Sequence, residues 1–229
     1  MLNNKLKIII PARGGSKGIP RKNLALLNGI PLIAYPITEG LKSKFVNKVY
    51  VSTDDIEIKE VSEQYGAEVI DRPKQFAQDN SLDIDVMRHF VEVLDSYDDI
   101  IHLRATTPTI ESKILDEAIK YFLDNSDCTS LRSAHESKES AYKFFKKDGN
   151  YWNGLFPEMG SEYYNRPRQE LPKTYHPNGY IDIVRPDIFM NKDSLHGNKI
   201  LSFITDFVHE VDTMNDLEIL RVLYDKDKK

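Results

Sequence analysis

The sequence predicts an α/β protein whose mainly parallel sheet carries helices on both faces. Two observations support this. Short apolar runs (Ile8–Ile10, Val46–Val51, Ala67–Ile70, Ile100–Leu103) alternate with segments of helical spacing up to about residue 135. That rhythm is the signature of right-handed βαβ units. The rhythm then breaks at about Glu136, and residues 136–176 are crowded with aromatics and interrupted by Pro157, Pro167 and Pro172. With no internal repeat, low-complexity tract or linker, the expectation is one domain over 1–229 with an excursion at about 136–176.

Lys5–Ile10 reads as a fully buried strand. Leu24–Leu27 pairs with the chain near Ile30 through an Asn28-Gly29 turn. Pro31 opens a helix to about Lys42, packed by Leu32, Ile33, Tyr35 and Leu41. Val46–Val51 is a strand ended by Ser52-Thr53-Asp54-Asp55. These polar residues suit either a ligand at a strand's carboxyl end or the N-cap of helix Ile56–Tyr65, and capping is the favoured reading. Gly66 ends that helix and Ala67–Ile70 is the next strand. A polar loop from Asp71 to Asn80 leads to a helix over 82–95, striped by Leu82, Val86, Met87, Phe90, Val91 and Leu94. Ile100–Leu103 is a strand. A helix over 112–123 follows, packed by Ile114, Leu115, Ala118, Ile119, Phe122 and Leu123. The aromatic excursion suits a small second core, a substrate wall or a subunit interface. Asn178–Val184 returns as a strand, Pro186–Phe189 starts a short helix, and Ile200–His209 is strand-like. A final helix, Thr213–Tyr224, buries Leu217, Leu220 and Leu223, with Thr213…Asp216 or Asn215…Glu218 as capping box.

The stretch Ile8–Asn23, IIIPARGGSKGIPRKN, concentrates the chemistry. Gly14, Gly15 and Gly18 let the backbone turn tightly at a strand end, where N–H groups can converge on an anion. Arg13, Lys17, Arg21 and Lys22 flank them. Residues 1–38 hold six cations and no Asp or Glu, in a chain of net charge −5. That contrast predicts a local positive field suited to a polyphosphate. The loop fits neither the P-loop pattern nor the dinucleotide fingerprint, because Lys17 precedes Gly18 and Gly14-Gly15 breaks the spacing. A solvated glycine-rich turn is the plain alternative.

Composition narrows the rest. The acidic balance argues against general nucleic-acid binding. No run of eighteen apolar residues exists, so no membrane span is expected, and no signal-peptide core is visible. Cys128 is the sole cysteine, which excludes an intrachain disulfide and reads as a buried packing thiol. A cytoplasmic compartment fits. Near the far end, Glu210-Val-Asp212 places two carboxylates on one side of an extended segment, where both can face a divalent cation. A solvated turn before a helix is the alternative.

Four motifs in register resemble the acylneuraminate cytidylyltransferases, the CMP-sialic acid synthetases, which activate nonulosonic acids with CTP. The first is Ile9–Asn23. The others are Leu103-Arg104-Ala-Thr106-Thr107-Pro108, then Arg168-Gln169-Glu170-Leu171-Pro172 with Pro177-Asn178-Gly179, then Asp212-Thr213…Asp216-Leu217. The resemblance spans essentially the whole chain. It implies a Rossmann-like nucleotidyltransferase sheet, Mg²⁺, and a homodimer joined through the excursion. It places Arg13, Gly14, Gly15, Ser16, Lys17, Arg21, Lys22 and Asn23 around the nucleotide, with Arg72, Asp79 and Ser81. Arg104, Lys143, Arg168, Gln169, Asn178 and Asp182 fall on the sugar side. Asp212 matches a metal carboxylate, with Glu210 beside it. Arg13, Lys22 and Asp212 are the expected catalytic residues.

The chain departs from the family pattern at Glu210, where Asp is usual, at Arg104, where Gln is common, and at Asp182, where Tyr often stands. Asp182 is expected to accept hydrogen bonds from a sugar substituent. These departures leave the sugar open among sialic, legionaminic, pseudaminic and related acids. Rival readings are a 3-deoxy-octulosonate cytidylyltransferase, a non-catalytic sugar-nucleotide-binding protein and a glycosyltransferase. His176 reads as a structural loop histidine.

Overall fold

The computed structural model describes residues 6–16 and 18–226, with side chains described to Tyr224. Lys17, expected among the phosphate contacts, lies outside the described residues, as do Lys5 and the last three positions.

The chain begins with strand β1 (Leu6–Pro11) and the glycine loop. The two-residue strands β2 (Leu26–Leu27) and β3 (Ile30–Pro31) pair across Asn28-Gly29. Both turn residues are left-handed, φ 50° and 79°, as a type I′ hairpin turn requires. Pro31 therefore belongs to β3 and does not open the next helix; α1 spans Ala34–Leu41. A helix beginning at Pro31 would forfeit the pairing of Leu26 with Pro31. Strand β4 is Val49–Thr53, later than the expected Val46–Val51, because its register is set by Ile8–Pro11 of β1.

The order continues with α2 (Ile56–Gln64), β5 (Glu68–Asp71), α3 (Asp83–Leu94), β6 (Asp99–His102), α4 (Ser112–Asp124) and β7 (Ser130–Glu136). The excursion holds a hairpin of β8 (Phe145–Asp148) and β9 (Tyr151–Gly154), and several 3₁₀ turns. The chain returns in β10 (Tyr175–Val184), α5 (Pro186–Phe189), β11 (Ile200–Ile204) and α6 (Met214–Lys226). Strand β11 stops five residues short of the expected His209. The freed segment leaves the sheet, and Val211 donates to the Thr106 carbonyl instead.

Seven strands form one sheet in the order β11-β7-β10-β6-β1-β4-β5. Only β10 runs against the rest, antiparallel to β6 and β7. The chain steps from β1 outward through β4 and β5, then crosses back to β6 on the other side of β1. Ligands of open α/β sheets sit at the strand carboxyl ends where the order reverses this way.

Alternation along β1 builds two cores. Ile8 and Ile10 face α1, α2 and α4, whereas Ile9 faces α3 and α5. A third cluster joins Ile19 of the glycine loop, Leu27, Leu32, Val211, Leu217 and Leu220. It pins the amino-terminal loop to the chain before α6, about as firmly as several buried aliphatic side chains can. The helical stripes overshoot at their ends: Leu41, Leu82, Leu123 and Leu223 are exposed. Cys128 is buried, as expected. Thr213 and Asp216 form the capping box of α6, the Asp216 carboxylate accepting from the Thr213 N–H at 2.7 Å.

Candidate functional site

The glycine loop leaves β1 and is held from below by acids that the sequence reading did not connect to it. Asp55 caps α2, accepting from the N–H groups of Glu57 and Ile58. The same carboxylate takes both ends of the Arg21 guanidinium, at 2.5 and 2.9 Å, and Glu57 takes one end at 2.8 Å. Arg21 sits at φ 55° and is a brace between loop and helix. Arg21, expected among the nucleotide contacts, has its fork engaged by Asp55 and Glu57 in this structure. The pairing holds the Asp55 carboxyl below its ordinary range, with the Arg21 hydrogen bond the main cause. Asp54 accepts from the Gly14 N–H at 2.9 Å, so that donor is spent too. A Cβ at Gly14 would stand 2.7 Å from the Asp55 carboxylate, which explains the glycine. Gly15 is exposed with open space around it, and Ser16 is half-buried.

The acid-free amino end is thus compensated by carboxylates from elsewhere. Arg13 pairs with Asp79 at 3.0 Å, and Lys22 with Asp212 at 3.0 Å. Asn23 is buried and donates to the Arg13 carbonyl, fixing the loop's return. Among the described residues of this segment, Arg13, Arg21 and Lys22 are each met by an acid distant in sequence.

Two cavities flank this loop. One of about 270 Å³ is lined by Arg13, Arg72, Asp79, Ser81 and Asp83, among others. It gathers four of the expected nucleotide residues. Arg72 is buried there, donates to the Ser52 hydroxyl and carbonyl, and is pushed down to about 10 by burial. Ser81 accepts from the Gln78 N–H and donates to the Gln75 carbonyl, shaping the loop.

The second cavity, of about 540 Å³, is lined by His135, Ser137, His176, Asn178, Glu210 and Asp212, among others. Here the two candidate metal carboxylates meet. Val211 between them is fully buried, Glu210 is half-buried, and Asp212 is exposed. Burial and then the neighbouring Asp212 push the Glu210 carboxyl up, while Arg104 opposes this. His176, read from the sequence as a structural loop histidine, lies in β10 and lines this cavity. Ser137 also borders a 450 Å³ cavity lined by Arg168 and Gln169, so the two openings adjoin. Arg168 donates to the Ser137 carbonyl at 3.3 Å.

Three expected sugar contacts are engaged within the protein. Asn178 is buried, accepting from the Ser133 hydroxyl and donating to Thr205. Lys143 donates to the carbonyls of Tyr164 and Arg166 and so ties the excursion together. Asp182, expected to meet a sugar substituent, is 1% exposed and bonds Arg104 at 2.8 Å. Sequence reasoning missed this because strand alternation places Asp182 on a face without saying what lies over it.

Not foreseen were the links of Asp54 and Asp55 to the glycine loop and the places of Asp83, Arg132 and His102. Only the strand register, which sets Asp182 opposite both His102 and Arg132, brings the last two together.

Two carboxylates suit Mg²⁺, which takes one or two protein carboxylates and completes its shell with phosphate and water oxygens. Among the described residues no group of three or more His, Cys, Asp or Glu side chains forms a cage.

The sequence matches a family model described as cytidylyltransferase over residues 7–228. It is 34% identical over 223 residues to a pseudaminic acid cytidylyltransferase of Campylobacter jejuni, covering 94% of each chain. It is 28% identical over 227 residues to an N-acylneuraminate cytidylyltransferase of Escherichia coli, covering 98% of this chain and 53% of that one. In structure it is similar to a CMP:2-keto-3-deoxy-manno-octonic acid synthetase solved with CTP, with a TM-score of 0.74, 20% identity and coverage of 97% and 99%. That last likeness concerns the fold. The match across almost all of its length, and the 34% relative, show that this chain belongs to the cytidylyltransferase family.

Proposed function

We propose that the chain transfers CMP from CTP to the anomeric hydroxyl of a nonulosonic acid and releases pyrophosphate. The observation that carries this reading is the meeting of Lys22 with Asp212, between a cavity lined by Arg13 and Arg72 and one lined by Glu210 and Asp212. The relatives named for pseudaminic acid and N-acylneuraminate favour a nine-carbon sugar acid over an octulosonate.

In this reading the base and ribose enter the smaller cavity beside Arg72, Asp79 and Ser81. Arg13, Lys22 and, by its place in the sequence, Lys17 neutralise the triphosphate as charge builds on it. Lys22 exchanges Asp212 for phosphate oxygens when nucleotide enters. Asp212, with Glu210, would hold Mg²⁺, which supplies charge neutralisation on phosphate when bound. Arg168, assisted by Gln169, pairs with the sugar carboxylate, which its planar fork suits. The anomeric oxygen bonds to the α-phosphorus, the bond from that phosphorus to the β-bridging oxygen breaks, and the hydroxyl proton is released. CTP supply puts the enzyme in the cytoplasm.

A homodimer joined through the excursion belongs to the same reading. The hairpin leaves Phe144, Phe145, Tyr151 and Trp152 exposed, a concentration of aromatics unusual for free surface.

The test is pyrophosphate release from CTP and Mg²⁺ across pseudaminic, N-acetylneuraminic, legionaminic and 3-deoxy-octulosonic acids. Turnover with a nine-carbon acid and little with the octulosonic acid is expected. A preference for the octulosonic acid, or no release with any, would overturn the reading.

A further inference from the structure

The two edge strands of the sheet are protected unequally. At one edge β5 is bounded by Glu68 and Asp71, which pair with Lys48 at 2.6 Å and with Lys59 at 2.9 Å. Charges at an edge keep other strands from adding to it. At the opposite edge β11 reads ILSFI, with no charge and no proline, and its register with β7 runs unbroken from Ile200 to Ile204.

Alternation along β11 is regular. Leu201 and Phe203 pack on the main core, while Ile200, Ser202 and Ile204 are exposed, the two isoleucines at 47% and 58%. The backbone alternates as well. The Thr205 N–H donates to the Ala134 carbonyl of β7. In a parallel ladder every second residue serves the neighbouring strand, so Leu201 and Phe203 belong to the inward set with Thr205. The N–H and C=O groups of Ile200, Ser202 and Ile204 then point away from β7. The same three residues thus offer both outward main-chain groups and exposed side chains.

A second copy of this strand is their complement. Antiparallel pairing about a two-fold axis at Ser202 sets Ile200 opposite Ile204 of the second copy, Ile204 opposite its Ile200, and Ser202 opposite its Ser202. Every pair joins two outward residues, so each exchanges both main-chain hydrogen bonds. Directly opposite side chains share one face, so isoleucine meets isoleucine on both sides of a small serine. The ends agree too. Asn198 and Lys199, before the strand, come beside Thr205 and Asp206, beyond it, which sets an amide and an ammonium near a carboxylate. Parallel pairing would bring Asp206 beside Asp206.

We propose that β11 is a self-association edge, to which a second copy of this chain adds its own β11, antiparallel about Ser202. The surface does not involve the aromatic hairpin. A single short strand makes a small interface of the weak, transient class. It therefore adds a concentration-dependent step above whatever assembly the hairpin supports.

Sedimentation velocity of the full chain, from low to high micromolar concentration, tests this. A doubling of the starting mass on concentration is expected, and Ile204→Lys should abolish it. Ser202→Pro should do the same. It removes an outward donor and leaves the ladder to β7 whole, so it serves if Ile204→Lys does not fold. Trp152→Glu separates the two surfaces, because it is expected to change the starting species and to leave the doubling. Amide exchange on the unaltered protein reads the register. On concentration, exchange at Ile200, Ser202 and Ile204 should slow several-fold while that at Leu201 and Phe203 stays the same. No doubling in the unaltered protein, a doubling that survives in a folded variant, or slowing that does not alternate along β11 would overturn the inference.

Discussion

Lys22 Nζ and Asp212 Oδ1 stand 3.0 Å apart although 190 residues separate them. The contact joins the loop after the first strand to the segment before the last helix. It exists because Ile19 and Val211, three residues and one residue away, are buried in one small core with Leu217 and Leu220. The ion pair itself is a consequence of that packing, since Asp212 is largely exposed and such pairs are weak.

Lys22→Ala should therefore leave the fold intact and remove catalysis. Turnover is expected to fall by roughly 10²- to 10³-fold, the usual effect of deleting one donor aimed at transition-state charge. Pyrophosphate release and a thermal melt on the same preparation check both halves. Turnover near that of the unaltered protein would take Lys22 out of the mechanism.

Gly18 and Gly15 should respond differently to alanine. A Cβ at Gly18 would collide with the Asp212 carbonyl oxygen, a backbone atom that cannot swing aside, whereas Gly15 has open space. Gly18→Ala is expected to cost about 1–3 kcal/mol, typical of forced overpacking, and Gly15→Ala well under 1 kcal/mol. Urea unfolding midpoints distinguish the two.

Asp55 combines a helix cap with an ion pair, and two substitutions separate them. Asp55→Ala should cost about 1–2 kcal/mol through the lost cap, while Asp55→Asn keeps the cap and should cost less. Because Arg21 is a brace, Arg21→Ala should lower the melting midpoint and change the KM for CTP little. A large rise in that KM with an unchanged melt would return Arg21 to the nucleotide site.

His102 gives the fold a definite acid response. Burial holds its folded-state value near 4 against an ordinary 6.5. Between those values the unfolded chain binds a proton that the native state refuses. Stability is therefore fully present above about pH 6.5 and is lost as pH falls toward 4. His89, His135 and His196 are depressed by burial as well and act in the same direction. Melting midpoints from pH 7 to pH 4.5 should fall, and His102→Gln should make that fall shallower. An equally steep fall in the variant would mean that His102 is not a contributor.

Trp152→Glu places a charge in the exposed aromatic hairpin. It should convert a dimer to a monomer in sedimentation velocity while the melt of the main sheet changes little. A monomeric unaltered protein would remove the proposed interface.

Local pattern went far in this chain. Apolar alternation and helical spacing located almost every element of the sheet up to residue 135, because each βα step is written in contiguous residues. Boundaries failed where pairing decided them. Pro31 reads as a helix start but is a strand partner of Leu26, and Ile200–His209 reads as one strand although only its first half is paired. Arg13, Arg72, Asp79 and Ser81, which the resemblance grouped, line one cavity of the fold. The internal partners of Arg21, Lys143, Asn178 and Asp182 were not legible, because residue type and spacing do not reveal which bonds a polar group makes in the fold.

The amino-acid order by itself determined the alternating α/β layout, the glycine-rich turn with its cations, and the acidic pair near the far end, since all three are properties of neighbouring residues. Only the folded chain decided which acid meets which cation. Asp55 took Arg21, Asp79 took Arg13, and Asp212 took Lys22. The reason is geometric: partners are assigned by strand order and by a shared core of side chains far apart in sequence, and neither is encoded within any one stretch.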